Sequence, residues 1–138
     1  MSVQLRGGAD LARFILARYS GKLVEVGVGR VPEVALFLST HIEVVATDKV
    51  ARTVGGLDVV ADDVFSPNLD LYQGATLLYS IRPPLEMQLA MGRLALDIGA
   101  EVIVRPLADE VAQIPGFSRA LVNEGEARFY LFMSSSSF

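Results

Sequence analysis

The 138-residue chain contains no cysteine and a single histidine, His41. Disulfides, thiolate catalysis and cysteine-ligated zinc are excluded, and neither a histidine-based metal centre nor a Ser/His/Asp triad has its residues, so no metal site is expected. Long hydrophobic runs are also missing. No uninterrupted apolar stretch reaches the roughly 18 residues of a membrane span. The first amphipathic segment is broken by Asp10, Arg13 and Arg18, which does not suit a signal peptide, so a cytoplasmic protein with no membrane partner is expected. Basic charge is in deficit, 12 Lys and Arg against 16 Asp and Glu, which argues against binding nucleic acid by charge alone. Apolar residues are abundant. At 51% hydrophobic and 20% charged, the chain can bury the core of one domain, with strands covered on both faces, and an apolar edge at the fifth strand or the final hairpin would suit a homodimer.

Helix and strand signals alternate along that domain, taken as residues 1–133. Leu11, Phe14, Ile15 and Tyr19 form an apolar stripe at helical spacing, closed by Ser20 and Gly21. KLVEV is a strand running into a glycine turn, and Pro32, at a first-turn position, opens a helix to Thr40, with His41 as its C-terminal cap. Further strands are predicted at Ile42–Thr47, Asp58–Ala61 after a loop with Gly55 and Gly56, Ala75–Ser80 and Glu101–Arg105. Leu85, Leu89, Leu94 and Leu96, with Gly99 as the stop, outline a helix. Arg119–Val122 and Arg128–Met133 flank NEGEA as an antiparallel hairpin, and 134–138 is a frayed tail. The pattern predicts a three-layer α/β/α sandwich, Rossmann-like, mostly parallel, with ligands bound outside the carboxyl ends of the strands.

Gly27, Gly29, Asp48, Asp62 and the SIRPP stretch at Ser80–Pro84 all fall at those ends. Two glycines allow a sharp turn and close backbone approach to a ligand, with helix N–H groups behind them. Asp48, about twenty residues on, can accept both hydroxyl protons of a ribose. Nicotinamide-binding domains share these features, but their GxGxxG fingerprint needs a third glycine where Pro32 stands. Glu25 discriminates. A pyrophosphate gains nothing from a carboxylate beneath the turn, whereas a cofactor with an ammonium and a sulfonium group does, and S-adenosylmethionine is such a cofactor.

On these residues the sequence resembles a class I S-adenosylmethionine-dependent methyltransferase domain, from about Ala9 to Met133. Glu25, Gly27 and Gly29 in VEVGVGR are similar to that family's acidic first motif. The resemblance implies Glu25 near the methionine amino group, the glycines under the methionyl and ribose portions, and Asp48 on the ribose hydroxyls. Asp62, five residues before Pro67, corresponds to the acid on the adenine amino group, with Asp63 beside it and Val64 or Phe65 flanking the ring. Ser80 to Pro84 occupies the fourth motif, which in amino-methylating members carries Asn or Asp, two prolines and an aromatic residue. Here neither the Asn or Asp nor the aromatic is present, so amino-group methylation is not implied. More narrowly, VEVGVGR, DD followed by SP, and YSIRPP resemble a small uncharacterised protein family of archaea with a trimmed methyltransferase fold, a resemblance that adds no activity.

Bland readings stand beside these. The glycines form an ordinary strand-to-helix turn, Asp48 caps a helix, and Asp62 and Asp63 are loop acids. Arg30, at the glycine turn, has two roles open to it, meeting the methionine carboxylate or pairing with an acid of the rim. Arg82, with Pro83, contacts a substrate anion or pairs with Asp62 or Asp63 across the rim. Asp109, Glu110 and Tyr79 are candidate groups for an acceptor site. The leading expectation is a domain that binds S-adenosylmethionine or S-adenosylhomocysteine and methylates an unknown acceptor. The alternatives are a non-catalytic partner or regulatory module, and a NAD- or nucleotide-binding enzyme.

Overall fold

A parallel strand covered on both faces needs apolar side chains at every position, which is why Leu23, Val24 and Val26 of the first strand are all buried without alternating with polar residues. The computed structural model describes residues 5–135. Among the described residues three α-helices, α1 (Gly8–Arg18), α2 (Glu33–Ser39) and α3 (Leu85–Ile98), and one short 3-10 helix (Leu69–Leu71) are interspersed with strands β1 (Lys22–Val26), β2 (Glu43–Asp48), β3 (Arg52–Val54), β4 (Leu57–Ala61), β5 (Ala75–Ile81), β6 (Glu101–Arg105), β7 (Phe117–Glu124) and β8 (Ala127–Ser134). They form one sheet in the order β3-β4-β2-β1-β5-β6-β8-β7, in which only β3 and β8 run against the rest.

The sheet separates two helical layers. Leu11 and Ile15 of α1 and Val34 and Leu38 of α2 pack on Leu23, Leu77, Tyr79, Ile103 and Phe129. On the opposite face Ala90, Met91 and Leu94 of α3 pack on Val24, Leu78, Val102 and Phe132. This is the expected three-layer, mostly parallel α/β sandwich. Gly99 ends α3 in the left-handed conformation, φ 78°, as its stop position requires. His41 closes α2 through its backbone N–H to Leu38 and its ring against Phe37.

The structure departs from the sequence reading in three places. Gly55 and Gly56, expected in a loop, form a two-residue turn with φ 56° and 87° between β3 and β4, pairing Val54 with Leu57. Two successive positive φ angles suit a tight hairpin turn, and glycine adopts them without steric cost. The fifth predicted strand, β6, offers no edge for a second copy, because β5 and β8 flank it; β3 and β7 are the edges. Ser134, expected to begin a tail, is the last paired residue of β8, and the Ser135 N–H donates to the Gly116 carbonyl, while 136–138 lie outside the described residues. Among the described residues no helix is long and apolar enough to cross a membrane.

Candidate cofactor site

The parallel register brings the ends of β4, β2, β1 and β5 to one edge, and with them Asp62, Asp48, Gly27, Gly29 and Ser80. The glycine turn is built by left-handed φ angles of 68° at Gly27 and 62° at Gly29, and the Val28 N–H pins it to the Thr47 carbonyl. Above Gly29 there is room, since an added Cβ would meet only the Gly27 carbonyl at 4.0 Å. Above Gly27 the same atom would meet the Met87 thioether at 3.3–3.4 Å, so the first turn of α3 closes over that glycine.

Glu25 lies beneath this turn and turns toward the α1/α2 face, as does Tyr79 on the neighbouring strand. Both are completely buried, and neither carboxylate oxygen nor the phenol oxygen has a hydrogen-bond partner. Burial pushes the Glu25 carboxyl up to about 8, and the nearby Tyr79 hydroxyl, outside hydrogen-bonding geometry, pulls it back only in part. Burial and the charge of Glu25 in turn raise the Tyr79 phenol well above its ordinary value. An unpaired buried carboxylate costs several kcal/mol, more than the roughly 1.5–3 kcal/mol that burying one leucine contributes. The acid is therefore neutral at pH 7, and a cation placed beside it would restore its charge. A cleft of about 540 Å³ opens on the same side, lined by Leu5, Gly7, Gly8, Glu33, Val34 and Phe37 among others.

The acids at the neighbouring strand ends are engaged by the chain itself. Asp48 accepts from the N–H groups of Gly29 (3.0 Å) and Lys49 (2.9 Å) and from Arg52 Nη2 (2.8 Å), and that arginine also donates to the Gly29 carbonyl. Burial raises the Asp48 carboxyl, but these donors outweigh it and hold it below its ordinary value. Asp62 accepts from the Asn68 N–H (3.0 Å) and the Tyr72 hydroxyl (2.6 Å), fixing the loop before β5, and Asp63 accepts from the Phe65 N–H (2.9 Å). Phe65 itself is half exposed. Ser80 is buried, its hydroxyl donating to the Val26 carbonyl at 2.6 Å and so tying the ends of β1 and β5.

Arg82 does not pair with Asp62 or Asp63. From β5 to β4 there are three strand spacings, about 14 Å, too far across the rim. Its neighbour is Arg105. Pro83 is buried, and its carbonyl accepts from Gln88. Arg30 is exposed and its side chain makes no hydrogen bond or ion pair among the described residues. Of the acceptor-site candidates, Tyr79 is sealed in the core, and Asp109 and Glu110 stand on the exposed loop after β6.

Sequence reasoning missed Met87, Arg52, Tyr72 and Gln88. Gln88 was visible as a polar residue inside the apolar stripe of LEMQLAM. Its Nε2 donates to the carbonyls of Pro83 (3.1 Å) and Glu110 (2.7 Å), and its Oε1 accepts from the Ala112 N–H (2.8 Å), joining SIRPP to the 108–112 loop. Gln88→Ala strands these groups and is expected to cost about 2 kcal/mol by urea denaturation, with faster amide exchange at Ala112. Unchanged exchange there would show that other contacts hold the loop.

Several known proteins share this architecture. An S-adenosyl-L-methionine methyl transferase from Silicibacter pomeroyi superposes with a TM-score of 0.62 at 12% identity, covering 91% of this chain and 89% of that one. A point mutant of MtNAS in complex with S-adenosylmethionine superposes with a TM-score of 0.58 at 19% identity, over 91% of this chain and 58% of that one. At such identities the likeness establishes the fold, which is methyltransferase-like. By sequence, a UPF0146 protein from Archaeoglobus fulgidus is 40% identical over 124 residues, 88% of this chain and 92% of its own. The model of an uncharacterised protein family, UPF0146, matches residues 9–134, and the chain belongs to that family.

Proposed function

We propose that the chain binds S-adenosylmethionine, or its demethylated product, at the edge formed by β4, β2, β1 and β5. One observation carries the reading: a fully buried carboxyl without a partner, Glu25, beneath a left-handed glycine turn. Such a group suits a ligand that brings its own positive charge, and the ammonium and sulfonium of S-adenosylmethionine supply it. When bound, the cofactor offers a methyl group on a positive sulfur to a nucleophile. Glu25 would face the ammonium, the backbone of Gly27 and Gly29 the methionyl and ribose portions, Arg30 the carboxylate, and Asp48 the ribose hydroxyls. Asp62, Asp63 and the half-exposed Phe65 would meet the adenine, while Ser80 holds the two strand ends in register. The S-adenosylmethionine held by a fold neighbour supports the reading.

Isothermal titration with S-adenosylmethionine, S-adenosylhomocysteine, NAD and ATP tests it. Micromolar binding of the two adenosyl sulfur ligands alone is the expected result, and no binding of either at millimolar concentration would refute it. A second reading, a non-catalytic module of the same fold, is favoured by the burial of Tyr79, which removes one candidate acceptor-side base. Methyl transfer from labelled cofactor to any cellular fraction would exclude that reading.

A further inference from the structure

At the carboxyl end of the sheet, on the side away from Asp48, four of the chain's 12 basic residues gather although the protein is acidic overall. Arg82 follows β5, Arg105 ends β6 and Arg128 is the second residue of β8, so neighbouring strands bring them together. Arg105 and Arg128 line a hollow of about 200 Å³ with Arg6, Pro106, Ala108 and Glu126. Among the described residues Glu126 is the one carboxylate that lines it, and it is paired with Arg6 at 3.4 Å. The side chains of Arg82, Arg105 and Arg128 make no hydrogen bond or ion pair among the described residues, and Arg105 is held below its ordinary value by burial and by the charge of Arg82. Like charges brought together without a counter-ion cost free energy unless an anion joins them.

The backbone carries a second mark. Among the described residues the two non-glycine residues with left-handed φ are Arg82 (58°) and Ala108 (54°), and both border this cluster. That conformation costs about 1–2 kcal/mol per residue, persists only where the surrounding structure holds it, and is enriched at ligand clamps.

We propose that this hollow binds the phosphate group of a small anionic acceptor. Its role as an acceptor subsite rests on the cofactor reading above; its binding of phosphate does not. Arg105 is two strand spacings, about 10 Å, from the strand that carries the glycine turn. A small phosphorylated molecule held there reaches toward that turn, and the hollow's size and the net charge of −4 favour it over a polynucleotide.

The test is titration with inorganic phosphate, with acetate as comparator, on the wild type, Arg105→Gln, Arg128→Gln, Arg82→Gly and the exposed α3 variant Arg93→Gln. Saturable phosphate binding is expected, weakened about tenfold by each of the first three substitutions and unchanged by Arg93→Gln. Arg82→Gly relieves the left-handed strain and should melt at least as high as wild type, so its loss of binding cannot be charged to unfolding. Equal weakening by Arg93→Gln, acetate bound as well as phosphate, or a short RNA bound far more tightly would each overturn the proposal. Adenosyl binding without phosphate binding refutes this inference alone; phosphate binding without adenosyl binding refutes the cofactor reading alone.

Discussion

Glu25→Gln is expected to make the protein more stable at pH 7 and, at the same time, a poorer ligand binder. The Glu25 carboxyl titrates near 8 in the folded protein against an ordinary value of 4.5, so between those values the folded chain keeps a proton that the unfolded chain has lost. Stability therefore falls as pH rises through this window, by about 1.4 kcal/mol per unit, and levels off above the folded value. By pH 7 the accumulated penalty is about 3 kcal/mol. Glutamine has nearly the same shape and does not titrate, but its amide buries two N–H donors where the protonated acid buries one O–H, an offset that is the same at every pH. Relative to its difference from wild type below pH 4.5, the variant should gain about 3 kcal/mol by pH 7, read from urea denaturation across that range.

Binding should move the other way. A ligand ammonium beside Glu25 restores its charge, so wild type releases up to one proton per S-adenosylmethionine bound at pH 7, visible as a dependence of titration heat on buffer ionisation enthalpy. Glu25→Gln should lose that release and at least tenfold in affinity. A residue kept only for folding would not trade stability for binding. Parallel stability curves for the two proteins would show that the buried acid has found compensation that the static structure does not display.

How far the site was legible depends on whether a residue's meaning is local. Gly99 at a helix end, the KLVEV strand and the fifth strand at Glu101–Arg105 are read from near neighbours, and the structure places them at the same positions. The glycines at 27 and 29 also declare themselves locally, since a turn after a buried strand requires positive φ. Tyr79 could not be placed, because the sheet face it takes depends on its register against β1, and one step would have moved it from the core beside Glu25 to the α3 side. The Gly55–Gly56 turn read as a loop because a three-residue strand is too short to show alternation. The arginine cluster follows from topology, since Arg82, Arg105 and Arg128 are far apart in sequence and meet because β5, β6 and β8 are neighbours in the sheet.

Asp48→Ala should weaken S-adenosylmethionine binding about 100-fold, the loss expected when a charged acceptor of two hydroxyl groups is removed. The variant also strands the Gly29 N–H and leaves Arg52 without its counter-charge, so a stability loss of about 1–2 kcal/mol accompanies it at pH 7. Because the donors around it hold the folded Asp48 carboxyl below its ordinary value of 3.8, this contribution is present above that value and disappears as pH falls through the folded one. Wild type and variant should therefore converge in acid. Arg52 decides what the site recognises. It already occupies Asp48 Oδ2 and the Gly29 carbonyl, the groups a ribose diol would approach. If the ligand is a neutral ribose, Arg52 competes with it, and Arg52→Ala should tighten S-adenosylmethionine severalfold while Asp48→Ala weakens it about 100-fold. If the ribose instead carries a phosphate, Arg52 is its partner and the Asp48 carboxylate repels it, so Arg52→Ala should weaken a nicotinamide dinucleotide phosphate and Asp48→Ala should not. Loss with Asp48→Ala and gain with Arg52→Ala for the adenosyl ligand support the methyl-donor reading, and the reverse pattern with a phosphorylated dinucleotide would replace it.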